Sequence, residues 1–141
     1  MVEREEIDRM ITKARIRSRA LETAFKEGEY DDIVKEAYNV MYMAARAVIN
    51  HLGGEVISHR QVASLFRKEI IGRKLMSRDY QEHLHKILQY RDQVLAGEFD
   101  NTDIEKLEKI TNACADLVKN LDAVMKANPD PIINYDLSDY A

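Results

Sequence analysis

Ile33-Val34-Lys35-Glu36-Ala37-Tyr38-Asn39-Val40-Met41-Tyr42-Met43-Ala44-Ala45-Arg46-Ala47-Val48-Ile49-Asn50-His51 is the stretch that decides the fold. Ile33, Ala37, Met41, Ala44 and Val48 recur at helical spacing and lead on to Leu52. Val34, Tyr38, Tyr42, Ala45 and Ile49 form a second apolar stripe beside the first. A surface helix needs one such stripe; a helix apolar over this much of its circumference is central and touches several neighbours. The small side chains of Ala44, Ala45 and Ala47 allow another helix to approach closely. Asp31 or Asp32 supplies an N-cap and a negative charge at the positive end. Gly53-Gly54 ends the helix.

The same periodicity extends on both sides. Ile7, Met10, Ile11, Ala14, Ser18, Leu21, Ala24 and Phe25 describe a first helix stopped at Gly28. Ser58 caps a third helix with Val62, Leu65, Phe66 and Ile70, ending near Gly72. Ser77 caps a fourth, with Leu84, Ile87, Leu88, Arg91 and Leu95 on one stripe and Gly97 at its end. Asn101 or Thr102 caps a fifth, whose near-heptad series is Leu107, Ile110, Cys114, Leu117, Leu121 and Val124. Pro129 and Pro131 then forbid continuation. Short connections force neighbouring helices to alternate direction. The fold expected is therefore all-α: an antiparallel up-and-down bundle of four core helices plus one additional helix. It occupies residues 1–127, and an acidic C-terminal tail with Tyr135 and Tyr140 follows at 128–141.

Composition supports this and removes other classes. A chain of 141 residues holds one domain, and 45% hydrophobic against 33% charged residues is the balance of a folded chain rather than a disordered one. Five Gly, two Pro and no Trp are too few turn formers for a sandwich or barrel. No apolar run spans a membrane. Residues 1–6 lack the apolar core of a secretory signal, so a cytoplasmic protein is the simplest reading. One cysteine, Cys114, excludes an internal disulfide framework. On the seam of the fifth helix it reads as a buried structural thiol.

The net charge of −4 is unevenly spread. Arg60, Arg67, Lys68, Arg73, Lys74 and Arg78 crowd into residues 59–78 against the single acid Glu69, whereas residues 98–141 are strongly acidic. A basic stretch of this density can meet phosphates, or it can be a solvated face that balances the acidic segment.

Few residues carry marked chemistry. His51, His59, His83 and His85 include no His-x-x-x-His pair, and His83 and His85 point to different faces of a helix. No metal site and no cofactor is expected. Arg91 stands out because its guanidinium falls on the stripe of Leu84, Ile87 and Leu88 and cannot lose its charge. It closes an internal ion pair, reaches solvent past a packed stem, or meets a phosphate in a pocket between helices or subunits. Asp92 follows it, about a quarter turn away.

The order of these features resembles the HEPN family, the higher eukaryotes and prokaryotes nucleotide-binding domain, in its small stand-alone form. The resemblance covers residues 5–125. It rests on Gly28-Glu29-Tyr30-Asp31-Asp32 opening the second helix, the segment Tyr38 to Ala47, Ser58-His59-Arg60-Gln61-Val62 with Leu65-Phe66, and Arg91-Asp92. It implies a bundle that dimerises through its central helices. Many members are ribonucleases with an Arg–polar–His motif that meets its copy at the dimer interface. Arg91-Asp92 matches the first half of that motif. The His belongs at position 96, 97 or 98, where this chain has Ala96, Gly97 and Glu98. Tyr38-Asn39 stands where relatives often carry two tyrosines.

RNA cleavage at a 2′-hydroxyl needs proton transfer, and Arg91 can only stabilise charge. No spacing places His59, His83 or His85 beside it, so weak or no nuclease activity is expected. Anion binding needs no proton transfer. The expectation is a nucleotide- or RNA-binding homodimer. Arg91 contacts phosphate with Asp92 and Tyr42 near it, and the basic segment Arg60–Arg78 guides the polyanion. By resemblance, a minimal nucleotidyltransferase is the partner in a toxin–antitoxin-like module. Two alternatives stand beside it: a metal-independent endoribonuclease using Arg91 with another acid–base group, and a protein-interaction scaffold acting through the acidic tail.

Overall fold

The computed structural model describes residues 2–56 and 58–133. Helix α1 spans Arg4–Lys26, α2 Ile33–His51, α3 His59–Leu65, α4 Arg78–Leu95 and α5 Ile104–Ala127. Helix α3 runs on into a π-helical turn, Phe66–Ile71. The described residues contain no strand, and the all-α bundle expected from periodicity is the fold.

Helix α2 is its axis. All eleven residues of its two stripes, Leu52 included, are buried, none more than 3% exposed. It packs on α1, α5, α4 and α3, while α1 also packs on α5. Contacts between α4 and α5 are sparser, so α4 leans on α2. Each fully buried Val, Leu, Ile or Met contributes about 1.5–3 kcal/mol of transfer free energy. Because α2 concentrates such residues, it is the element whose loss would dissolve the others. Its apolar circumference is buried within the chain.

Capping departs from the sequence expectation in two places. Asp32 occupies the N-cap position of α2, but its side chain makes no capping hydrogen bond, leaving only its charge near the helix end. The cap of α5 is Asp103, whose carboxylate accepts from the Lys106 amide at 3.1 Å, rather than Asn101 or Thr102. Asp100 has already taken the Thr102 amide at 2.8 Å, so a separate turn precedes the helix. Ser58 and Ser77 cap α3 and α4 as expected, accepting from Gln61 and Asp79 amides. Leu95, read as the last inward residue of α4, is 71% exposed, while its neighbour Val94 packs against the core.

Beyond α5 the chain turns back on the foot of α2. The Ile132 and Ile133 amides donate to the Leu52 carbonyl at 2.9 and 3.0 Å, and Ile133 is buried. Gly53 is needed there: its φ is +99°, and a Cβ would stand 2.9 Å from the Pro131 Cβ. The remainder of the acidic tail, with Tyr135 and Tyr140, lies outside the described residues.

Candidate functional site

The segment after Gly53 brings the chain back along α2, so that α3 begins beside Tyr38 and Tyr42. The His59 ring centroid lies 5.0 Å from that of Tyr38 and 4.9 Å from that of Tyr42, and the two tyrosines are 4.7 Å apart. Tyr38 Oη and His59 Nδ1 share a hydrogen bond whose direction follows the imidazole tautomer. Nε2 is therefore the ring atom left for a ligand. The tyrosines are buried and His59 is exposed, so the cluster has a closed floor and an open edge.

Arg91 completes it from α4. Its Cζ lies 4.6 Å from the centroid of the Tyr38 ring, a cation–π arrangement. Its Nη1 is 4.0 Å from Asp92 Oδ1, at the outer limit of an ion pair, and the side chains are 39% and 66% exposed. A contact that long and that solvated leaves most of the hydrogen-bonding capacity of the guanidinium unused. Arg91 thus neither hangs free in solvent nor closes a tight internal pair. It lies on an aromatic face with its donors accessible.

Burial and the positive charge of Arg91 and Arg46 set the electrostatics of the cluster. Burial, then Arg91 and Arg46, holds the His59 pKa below its ordinary value, so the ring is neutral at pH 7. Burial pushes Tyr42 up to about 12, with Tyr38 adding to the effect. Tyr38 is also raised, burial again leading. Both hydroxyls keep their protons. The charges of Arg91 and Arg46 disfavour a proton on His59, and an anion between them would weaken that effect.

Of the expected site residues, Arg91, Asp92 and Tyr42 come together here. The basic segment does not join them as a unit. Arg60 follows His59 directly in α3, but Arg67, Lys74 and Arg78 line a separate depression with His85 and Lys86. Arg73 is paired with Glu69 at 2.7 Å. Lys68 is exposed on the π-helical turn.

His59 was not placed here by its spacing, because nothing local links it to Arg91; the fold supplies the juxtaposition. A second omission had a visible signal. Arg9, Lys13 and Arg17 of α1, four residues apart, line a cleft of about 550 Å³ together with Arg46, Tyr42 and His59. Cys114 takes no part: it is fully buried in α5, and burial pushes its thiol up to about 12.

The HEPN domain family model matches residues 7–123, most of the chain, and the chain belongs to that family. No curated protein and no solved structure matches it. Family membership carries a nucleotide- or RNA-related role at the family level, and HEPN proteins often form dimers and bind RNA. No helix among the described residues is long and apolar enough to cross a membrane.

Proposed function

We propose that this HEPN-domain chain binds the phosphate of an RNA or nucleotide at the Tyr38–His59–Arg91 cluster. The observation that carries the reading is the Arg91 guanidinium, fixed over the Tyr38 ring with only a loose 4.0 Å contact to Asp92. Its planar fork suits a phosphate. His59 Nε2 offers a second contact, and a proton taken up there on binding would add charge. Asp92 limits how deeply an anion can sit. Arg60, next to His59 at the start of α3, adds positive charge at the exposed edge. Binding of labelled RNA and of a mononucleotide at low ionic strength tests this. Wild type should bind and Arg91→Ala should lose at least tenfold in affinity. Absence of binding would leave the scaffold reading through the acidic tail.

One observation favours an enzymatic alternative. Proton transfer was the missing element, and His59 stands beside Arg91. In that reading His59 takes the 2′-hydroxyl proton as the 2′-oxygen attacks the adjacent phosphorus. The P–O5′ bond breaks, the leaving 5′-oxygen gains a proton, and a 2′,3′-cyclic phosphate remains. Arg91 stabilises the developing phosphorane charge. Cleavage of labelled RNA by wild type, lost in both His59→Ala and Arg91→Ala, would establish it.

The homodimer, the minimal nucleotidyltransferase partner and the toxin–antitoxin-like module belong to the same proposal. With α2 enclosed, a dimer would use the outer face of α4, where exposed Leu95 lies one turn beyond Arg91. Sedimentation showing only a 16.3 kDa species at micromolar concentration would reject the dimer.

A further inference from the structure

Helix α1 carries cations on two faces that are used differently. Arg15 spends its charge on Asp122 of α5. Arg9, Lys13 and Arg17 face the cleft that holds Tyr42 and His59, and none pairs with a described carboxylate. Glu6 is the one acid among the described residues lining that cleft, while Arg46 of α2 adds a further cation. A spacing of four residues sets the three α1 side chains on one face, each about 6 Å beyond the last.

That step is the size of the repeat in an extended single-stranded nucleic acid, whose backbone a cationic groove can follow. Phosphates joined through one bridging oxygen, as in a nucleoside triphosphate or inorganic polyphosphate, lie at about half that step and would leave rungs unmatched. A row on one helix face also addresses one strand, and the cleft of about 550 Å³ is small for a duplex.

We propose that Arg9, Lys13 and Arg17 form a track for consecutive phosphates of a single strand. The track lines the same cleft as His59 and Arg46, so that the site takes an oligonucleotide in preference to a mononucleotide. This rests on the reading of the Tyr38–His59–Arg91 cluster as a phosphate site and extends it. The exposed His59 ring in the same cleft gives one base a surface to stack on.

Fluorescence anisotropy with a labelled mononucleotide, dinucleotide and octanucleotide tests the track, inorganic polyphosphate serving as competitor. Wild type should bind the octanucleotide at least tenfold tighter than the mononucleotide, and polyphosphate should compete weakly. In the triple variant Arg9→Gln, Lys13→Gln, Arg17→Gln the length preference should vanish while mononucleotide binding persists. The salt slope for the octanucleotide should fall by about 2, at roughly 0.7 per lost single-strand phosphate contact. The three side chains lie at the surface, and circular dichroism verifies that the variant is folded. Equal affinity of wild type for all lengths, or a length preference that survives the triple variant, would overturn the track and leave the phosphate site standing. A length preference that needs α1 but ignores Arg91→Ala would instead overturn the phosphate site. Polyphosphate competing as well as the octanucleotide would overturn the assignment to a nucleic-acid strand.

Discussion

The α1–α2–α5 interior and the α2–α3–α4 cleft share one helix and differ in what they bury. In the interior, Ala14, Val48, Cys114, Leu117 and Leu121 are fully buried, with little capacity for hydrogen bonding. In the cleft, Tyr38 and Tyr42 are nearly as well buried, at 3% exposed each. They are polar at the tip, and they abut an imidazole and a guanidinium. Depth of burial does not separate the two regions. What separates them is the polar and charged groups that the cleft carries to its exposed edge, where solvent or another partner can reach them. One region holds the chain together, and the other keeps an imidazole and a guanidinium at an exposed edge.

Substitutions can break or sharpen this contrast. The largest stability effect belongs in the interior: Leu117→Ala should cost about 2–5 kcal/mol, read by urea unfolding, because it leaves a cavity around a fully enclosed side chain. A loss as small as that of a surface substitution would remove the distinction. In the cleft the order reverses. Arg91→Ala should change unfolding free energy by less than about 1 kcal/mol, because its ion pair is solvated, while RNA affinity falls at least tenfold. Arg91→Lys should recover part of that affinity, since it keeps the charge and loses the fork.

The two regions should also respond differently to chemistry and pH. Cys114, with its thiol pushed up to about 12, should resist a disulfide reagent at neutral pH until the protein unfolds. His59 sets the opposite test. Its folded pKa lies below the unfolded value of 6.5, so the unfolded chain takes up the proton first as pH falls. Its contribution to stability is present above 6.5 and declines as pH drops through 6.5 toward the folded pKa. His59→Asn should flatten that slope. A bound phosphate should move the His59 titration upward, measured by NMR. A downward movement would place the anion elsewhere. A further stability effect belongs to neither region: Gly97→Ala should cost about 1 kcal/mol by urea unfolding, since Gly97 has φ of +71° with open space around it.

Much of the fold was legible and only part of the site. Both stripes of α2 followed from spacing, and Ser58 and Ser77 were identifiable caps. The cap of α5 was not, because Asp100 and Asp103 compete within one short loop and their geometry decides between them. Arg91 announced itself as a cation among leucines. Arg9, Lys13 and Arg17 showed a helical repeat, but a repeat of charges on a surface helix reads equally well as a solvated face. Only their position across from Tyr42 and His59 distinguishes it.

The sequence by itself determined five helices, their approximate ends and the centrality of α2. Periodicity, capping and turn residues act between near neighbours, so a one-dimensional reading contains them. The tertiary structure alone decided that His59 and Arg91 meet the same tyrosine, Tyr38, that the apolar surface of α2 is buried within the chain, and that a row of cations on α1 borders a cleft with Tyr42 and His59. Those outcomes depend on where α3 and α4 dock on α2. Both placements are fixed by packing between residues far apart in the chain, which no local spacing encodes.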